Sequence, residues 1–364
     1  MERGKRKWWY FAGLAGMILY ILAVPRTIPE ETVLKPLWIN SLESNQPINI
    51  GNLPAQGNKS GTLLPFILGS RFGYFTEDGA FTLNQIRSAY VSMSGDRWTE
   101  YEAIPAAIQI MNPQSETVFE IKNPKGYPLL LGTAAFIVGN EQSFIMAVKN
   151  NGEELWNYDF SSPVTCVDAA DGSLLAGTLN GEAILLNSSG TPVFTPFEPG
   201  GSKLSVILGC AISKDSSRLA LISGIGEQRF LLLERAGDTF KVIYHEFLGT
   251  GFRRPVHICF INNDSKVAFE REGGLGIYTI GSRKSVKINL KGEISILDDY
   301  GEEEHLFVVT SLGSSEKRLI AIRYPSFIVN EALFKSENSF MARRGRKLFL
   351  GGDSAMAAFE LESK

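Results

Sequence analysis

Apolar runs of four to seven residues, each closed by a tight turn, recur along most of the chain. Residues 128–160, PLLLGTAAFIVGNEQSFIMAVKNNGEELWNYDF, show the pattern most clearly. Residues 129–131 run up to Gly132, 134–138 end at Gly139-Asn140, and 143–148 end at Asn150-Asn151-Gly152. Residues 153–160 then carry Trp156 and Tyr158 on one alternation phase. Asn and Gly supply the left-handed turn positions that short hairpins require. Runs of this length, rich in aliphatic and aromatic residues, read as strands and not helices. The unit is a four-stranded antiparallel meander. Such a sheet cannot bury both faces alone, so its recurrence implies stacked neighbours.

The same pattern returns in residues 63–101, 164–195, 206–247, 256–290, 294–329 and 332–361, with explicit turns such as Asp171-Gly172 and Asn180-Gly181. First strands starting at residues 129, 164, 206, 256 and 294 are 35 to 50 residues apart. Four strands and three turns need about that length. The interval from 63 to 129 is longer and holds two further apolar runs, 104–110 and 117–121, on either side of Asn112-Pro113. Seven units are expected, with eight as the alternative if that interval contains a degenerate blade.

Ring closure buries the faces of successive meanders against one another and leaves short, protected edges. The expected fold is therefore all-β: a β-propeller of four-stranded antiparallel blades over residues 61–364. The last unit ends only a few residues before the terminus and is expected to lack its own outer strand. A strand from residues 25–60 is expected to complete it, with 48–53 as the candidate.

The first residues follow a different pattern. Arg3, Lys5, Arg6 and Lys7 precede the uncharged stretch 8–24, which is followed by Pro25. A basic flank before an apolar helix is retained in the cytoplasm while the rest of the chain is exported. Residues 8–24 are expected to form one transmembrane signal anchor, at the short end for a span. A cleaved signal is the alternative, although no A-x-A pattern follows the apolar stretch. The proline-bearing residues 25–60 form a tether. The ring would then be periplasmic in a bacterium, or lumenal or extracellular otherwise.

Composition narrows the chemistry. The 364 residues carry 36 basic and 39 acidic side chains, a net charge of -3 that favours no nucleic acid. The basic run Arg343-Arg344-Gly345-Arg346-Lys347 reads as a solvated turn. Cys166, Cys210 and Cys259 all fall on or near first strands of consecutive units, as buried thiols packing the ring would. His245, His257 and His305 are too widely spaced to suggest a zinc site. His257 and Cys259 share a strand face if that strand is regular. Residues 57–61 lack the spacing of a phosphate loop. No metal or cofactor site is read from the chain.

Asn151-Gly152-Glu153-Glu154-Leu155-Trp156, its weaker echo Gly95-Asp96-Arg97-Trp98, and Ala176-Gly177-Thr178-Leu179-Asn180-Gly181 resemble the repeats of the quinoprotein-like (PQQ-like) and WD40-like β-propeller superfamily. The likeness covers residues 63–361. Units after the third lack the Trp, and none has the Gly-His…Trp-Asp signature. The resemblance implies a propeller. Members with a quinone cofactor use a calcium site whose residues do not map onto this chain. Other members are scaffolds, such as an outer-membrane assembly lipoprotein whose propeller binds partner proteins; its lipid-attachment cysteine has no counterpart here.

Fold alone does not decide function. The preferred expectation is a membrane-tethered, extracytoplasmic scaffold or protein–protein interaction subunit of an envelope complex, with Phe252, Arg253 and Arg254 as the candidate partner-binding loop. The alternative is a propeller enzyme, including a quinone-dependent oxidoreductase, or a sensor holding a small ligand on the ring axis. Asp168, Asp215 and Asp264 are the acids such an enzyme would offer, though Asp215 and Asp264 occupy similar turns, where Asp is favoured for backbone reasons. Phe72, Tyr74, Trp98 and Trp156 read as sheet packing.

Overall fold

The computed structural model describes residues 32–43, 48–49, 63–194, 196–249, 251–298 and 305–363. The basic flank, the apolar stretch 8–24 and residues 57–61 lie outside these. Among the described residues no helix is long and apolar enough to cross a membrane. The compact unit Leu34–Leu361 contains the ring.

Strand alternation builds that ring. In the strand Ala134–Gly139, Ala135 and Ile137 pack into a cluster with Ile108, Ile110 and Phe119 on one side. Phe136 and Val138 pack into another cluster with Leu174 and Ile184 on the opposite side. Successive side chains point to opposite faces. A strand buried on both faces therefore reads as a continuous apolar run. Each large side chain buried this way contributes about 1.5–3 kcal/mol.

The described strands form eight sheets, not seven. Each is a blade. Blade 1 holds Leu64–Leu68, Arg71–Phe75 and Phe81–Ile86; blade 2 holds Tyr90–Met93, Trp98–Tyr101, Ala107–Met111 and Thr117–Lys122. Blade 3 runs from Gly126–Leu131 to Glu154–Asp159, and blade 4 holds Val164–Ala170, Ser173–Thr178 and Ala183–Leu186. Blades 5, 6 and 7 begin with Leu204–Ile212, Ile258–Ile261 and Glu293–Leu297 and have four strands each. Blade 8 holds Ser339–Arg344, Lys347–Gly352 and Ala355–Ser363. The buried apolar residues fall into eight clusters, each spanning one junction between neighbouring blades, from blades 1 and 2 round to blades 8 and 1.

The expected count of seven fails at residues 63–122. Tyr90–Met93 reads as the fourth strand of the first unit but is the first strand of a new blade. Trp98 follows it on the second strand, so residues 95–98 are not equivalent to 152–156, where Trp156 sits on the fourth strand. Trp98 is buried against Phe72 of blade 1, and its indole N–H donates to Asn112 O at 2.8 Å. The start expected for the last unit also shifts: residue 332 lies inside Phe327–Lys335, the fourth strand of blade 7.

The outer place of blade 8 is filled by Thr32–Ser41, which lies between Ala355–Ser363 and the short Ile48–Asn49. The closing strand is thus earlier in the chain than residues 48–53. Its Trp38 indole donates to Glu77 O at 2.9 Å and the Asn40 side chain donates to Gly79 O at 2.8 Å, both in blade 1. Blade 4 is irregular at its outer edge, where Pro192 and Phe197 make isolated bridges to Leu186 and Ala183. Pro192, Pro196 and Pro199 lack the N–H a continuous ladder requires.

Candidate functional site

First strands face the axis, and those of blades 4 to 7 wall a cavity of about 380 Å³. Asp168, Cys210, Lys214, His257, Cys259 and Asp264 all line it. Sequence reasoning named five of these, and the ring brings them together because each lies on or just beside a first strand. Lys214 was not among them. It occupies the turn after the first strand of blade 5, and nothing in its local pattern distinguishes it.

The acids in this cavity are committed to the backbone. Asp168 accepts the N–H of Ala169 at 2.9 Å and, across the junction, the N–H of Ile212 at 2.9 Å. Asp264 accepts the N–H of Lys214 from the neighbouring blade at 2.7 Å. Asp215 lies in its own turn and accepts the Ser213 hydroxyl and the Ser217 N–H and hydroxyl, which hold its carboxyl down at about 2. The half-buried His257 ring is held below its ordinary range by desolvation. The Cys259 thiol donates to Asp298 O at 3.7 Å. The contacts of Asp168, Asp264 and Cys259 are clamps between blades. Among the described residues no group of three or more His, Cys, Asp or Glu is arranged to hold a metal.

The loop named from the sequence lies at a second cavity, of about 450 Å³, lined by Phe252, Arg254, Glu270, Arg271, Glu272 and Glu293 among others. Arg254 grips Glu270 with both ends of its guanidinium, at 3.0 and 2.7 Å, and lies over the Phe252 ring at 4.7 Å. Glu270 is almost fully buried and also accepts the N–H of His257 at 3.2 Å. Its carboxylate pushes the Arg254 pKa above the ordinary arginine value. The Gln228 amide donates to Phe252 O at 3.2 Å and fixes the loop to blade 5. Arg253, between these two anchored residues, is exposed. The loop is a built feature, with Phe252 and Arg254 holding it and Arg253 presented to solvent.

The basic run at 343–347 departs from the expected solvated turn. Arg343 is buried, pairs with Asp298 and donates to His305 O at 2.6 Å. Arg346 donates to Leu361 O at 2.7 Å, and Lys347 reaches Glu77 of blade 1 at 2.8 Å. The run ties blade 8 to its neighbours. Trp156 packs between blades as expected: its ring meets Phe136 at 6.0 Å and lies against Gly190 of blade 4.

Comparison with known proteins agrees with this architecture. A family model described as "beta-propeller protein" matches residues 1–364. The chain belongs to this beta-propeller protein family. It is 24% identical over 365 residues to an uncharacterized protein of Treponema pallidum (strain Nichols), covering 98% of this chain and 95% of that one. Among solved structures it is similar to BamB from Moraxella catarrhalis, with a TM-score of 0.58 at 11% identity over 90% of this chain and all of that one. It is equally similar to the computationally designed Ika8 protein, with a TM-score of 0.58 at 10% identity over 82% of this chain and 96% of that one. These likenesses are of fold.

Proposed function

We propose that this protein is a membrane-tethered, extracytoplasmic interaction module that serves as a scaffold subunit of a cell-envelope complex. The observation that carries the reading is the Phe252-Arg253-Arg254 loop. It is held by a buried carboxylate and a glutamine amide while it exposes Arg253 beside a cavity. A rigid scaffold that presents a few fixed side chains loses little entropy on binding. Arg is also enriched among the residues that dominate interface energy. The acids of the axial cavity, by contrast, spend their oxygens on backbone N–H groups, which suits packing better than proton transfer.

The anchor is the sequence at residues 1–24. The ring's closing strand begins at Thr32, so the intervening residues 25–31 can extend to no more than about 25 Å. In this reading the protein presents its loops to a partner in the same membrane or just beyond it. The fold likeness to BamB and the resemblance to scaffold propellers support that use of the ring.

The test is crosslinking in native membranes, detergent solubilisation and affinity capture. The full chain is compared with a form lacking residues 1–24, which keeps the closing strand. Recovery of a defined protein partner by the full chain, reduced by Arg253→Glu, is expected. Capture that yields no specific protein, together with a small cofactor retained through purification, would contradict the reading.

A further inference from the structure

The junction between blades 4 and 5 holds two thiols in one place. The first strands of these blades run side by side, pinned at both ends of a short stretch. At one end the Thr165 hydroxyl donates to Ile207 O. At the other the Ile212 N–H donates to the Asp168 carboxylate at 2.9 Å. Cys166 lies between Thr165 and Asp168, and Cys210 lies between Ile207 and Ile212. The two cysteines therefore come level with each other.

Their side chains converge over Gly177 on the second strand of blade 4. A Cβ added at Gly177 would stand 2.7 Å from the Cys166 sulfur, so the absence of a side chain there makes the space that the thiol fills. The Cys210 thiol reaches across the junction to Leu175 O, at 3.9 Å, on the same strand. Both cysteines pack in one apolar cluster, and Cys166 is near enough to Cys210 to raise its pKa. Cys259, one blade further round, is turned to Asp298 instead.

We propose that Cys166 and Cys210 are an oxidisable dithiol that forms a disulfide between blades 4 and 5 on reaction with a peroxide. Neither the anchor nor the scaffold reading is needed for it. Cys166 is half-buried and Cys210 buried, so Cys166 is the thiol that meets the oxidant. The neighbouring Cys166 and burial push the Cys210 thiol well above its ordinary value, so Cys210 is not the thiol that reacts first. In the first step the Cys166 sulfur attacks the peroxide. The O–O bond breaks, the sulfur becomes a sulfenic acid and one water leaves. In the second, the Cys210 sulfur attacks the Cys166 sulfur. An S–S bond forms, the S–O bond breaks, and the hydroxide takes the Cys210 proton and leaves as a second water. Two thiols are oxidised and one hydrogen peroxide is reduced to two waters.

The site has a structural use. Blade 4 is the blade whose outer strand is replaced by isolated bridges. A covalent link at its inner end fastens it to blade 5, which has four full strands.

The full chain is treated with hydrogen peroxide under native conditions, alkylated, and digested for mass spectrometry. The expected result is a peptide pair linked through Cys166 and Cys210 that is short of two hydrogens, is reversed by dithiothreitol, and accompanies a higher melting temperature. Cys259 remains alkylated. With Cys166→Ser no link forms. With Cys210→Ser the oxidation of Cys166 proceeds to a sulfenic acid that dimedone traps, a readout that does not depend on stability. A link through Cys259, a link between two chains, or two thiols that stay reduced until the protein is unfolded would each overturn the proposal.

Discussion

The Arg343 guanidinium donates to the Asp298 carboxylate at 2.9 Å, with only 2% and 4% of the two side chains exposed. The pair joins the first strand of blade 8 to the residue that follows the first strand of blade 7. Removing one partner of such a pair leaves an uncompensated charge in the interior and costs about 3–5 kcal/mol. Arg343→Ala is expected to lower the urea midpoint by the equivalent amount. Arg343→Met combined with Asp298→Leu is expected to recover much of the loss, because an apolar pair carries no desolvation penalty. A loss below about 1 kcal/mol in the single variant would mean the pair behaves as an exposed one.

The closing strand makes a second expectation. Trp38 is 3% exposed and touches Phe75 of blade 1 and Phe349 of blade 8. Trp38→Ala empties a large site at the seam of the ring and is expected to cost about 3–5 kcal/mol. Deleting residues 1–24 spares this strand and is expected to leave the melting temperature of the ring unchanged. Deleting residues 1–43 removes the strand and exposes the edge of Ala355–Ser363. Loss of cooperative melting and aggregation is the expected outcome in calorimetry and light scattering.

Much of this ring was legible in the residues. Asn180-Gly181 and Asp171-Gly172 announce hairpins, and Asp171, Gly172 and Gly181 take positive φ angles that are costly for most other residues. The run at 134–138 announces a strand buried on both faces. The number of blades was harder to read. The strand Tyr90–Met93 has the length and composition of either a last or a first strand, and only its partner decides which. The closing strand was misplaced for a similar reason: Thr32–Ser41 contains Pro36, which weakens a strand reading, yet as the last full strand of its blade it tolerates a missing N–H. The role of Arg343 was invisible, because its partner Asp298 is 45 residues away.

Gly190 faces the Trp156 ring. It has φ +75°, and an added Cβ would stand 2.6 Å from the indole. Gly190→Ala combines a left-handed alanine, about 1–2 kcal/mol, with displacement of Trp156. A lower melting temperature and a shifted tryptophan emission are expected together. An unchanged emission would mean that the turn moves and the indole does not.

Asp215 and His257 each contribute to the pH dependence. Asp215 is held at about 2, below the ordinary value of about 3.9. Its contribution is therefore fully present above the ordinary value and is lost as pH falls through about 2. Asp215→Asn is expected to be less stable than the native chain near neutral pH and equal to it near pH 2. His257 is also lowered, by burial, so the folded chain disfavours its protonation. Its contribution is full above about 6.5 and declines as pH falls below that value. His257→Gln is expected to flatten the acid side of the stability profile measured by urea unfolding between about pH 5 and 7. A profile that keeps its slope would place the titration elsewhere.

The loop at blades 5 and 6 separates a structural arginine from a presented one. Arg254→Ala strands the buried Glu270 and is expected to destabilise the ring. Arg253→Glu changes an exposed side chain and is expected to leave the melting temperature within a degree or so of native, while weakening capture of the crosslinked partner. Native capture by Arg253→Glu would remove this loop from the partner surface.

The proposed arrangement is a ring held outside the cytoplasm by an anchor at residues 1–24. Its direct test is topology: alkaline phosphatase is fused after Lys364 in the native host, and membranes are washed with alkaline carbonate. An active reporter that stays in the membrane fraction with the full chain, and leaves it when residues 1–24 are removed, is expected. An inactive reporter, or a full chain released by carbonate, would contradict it.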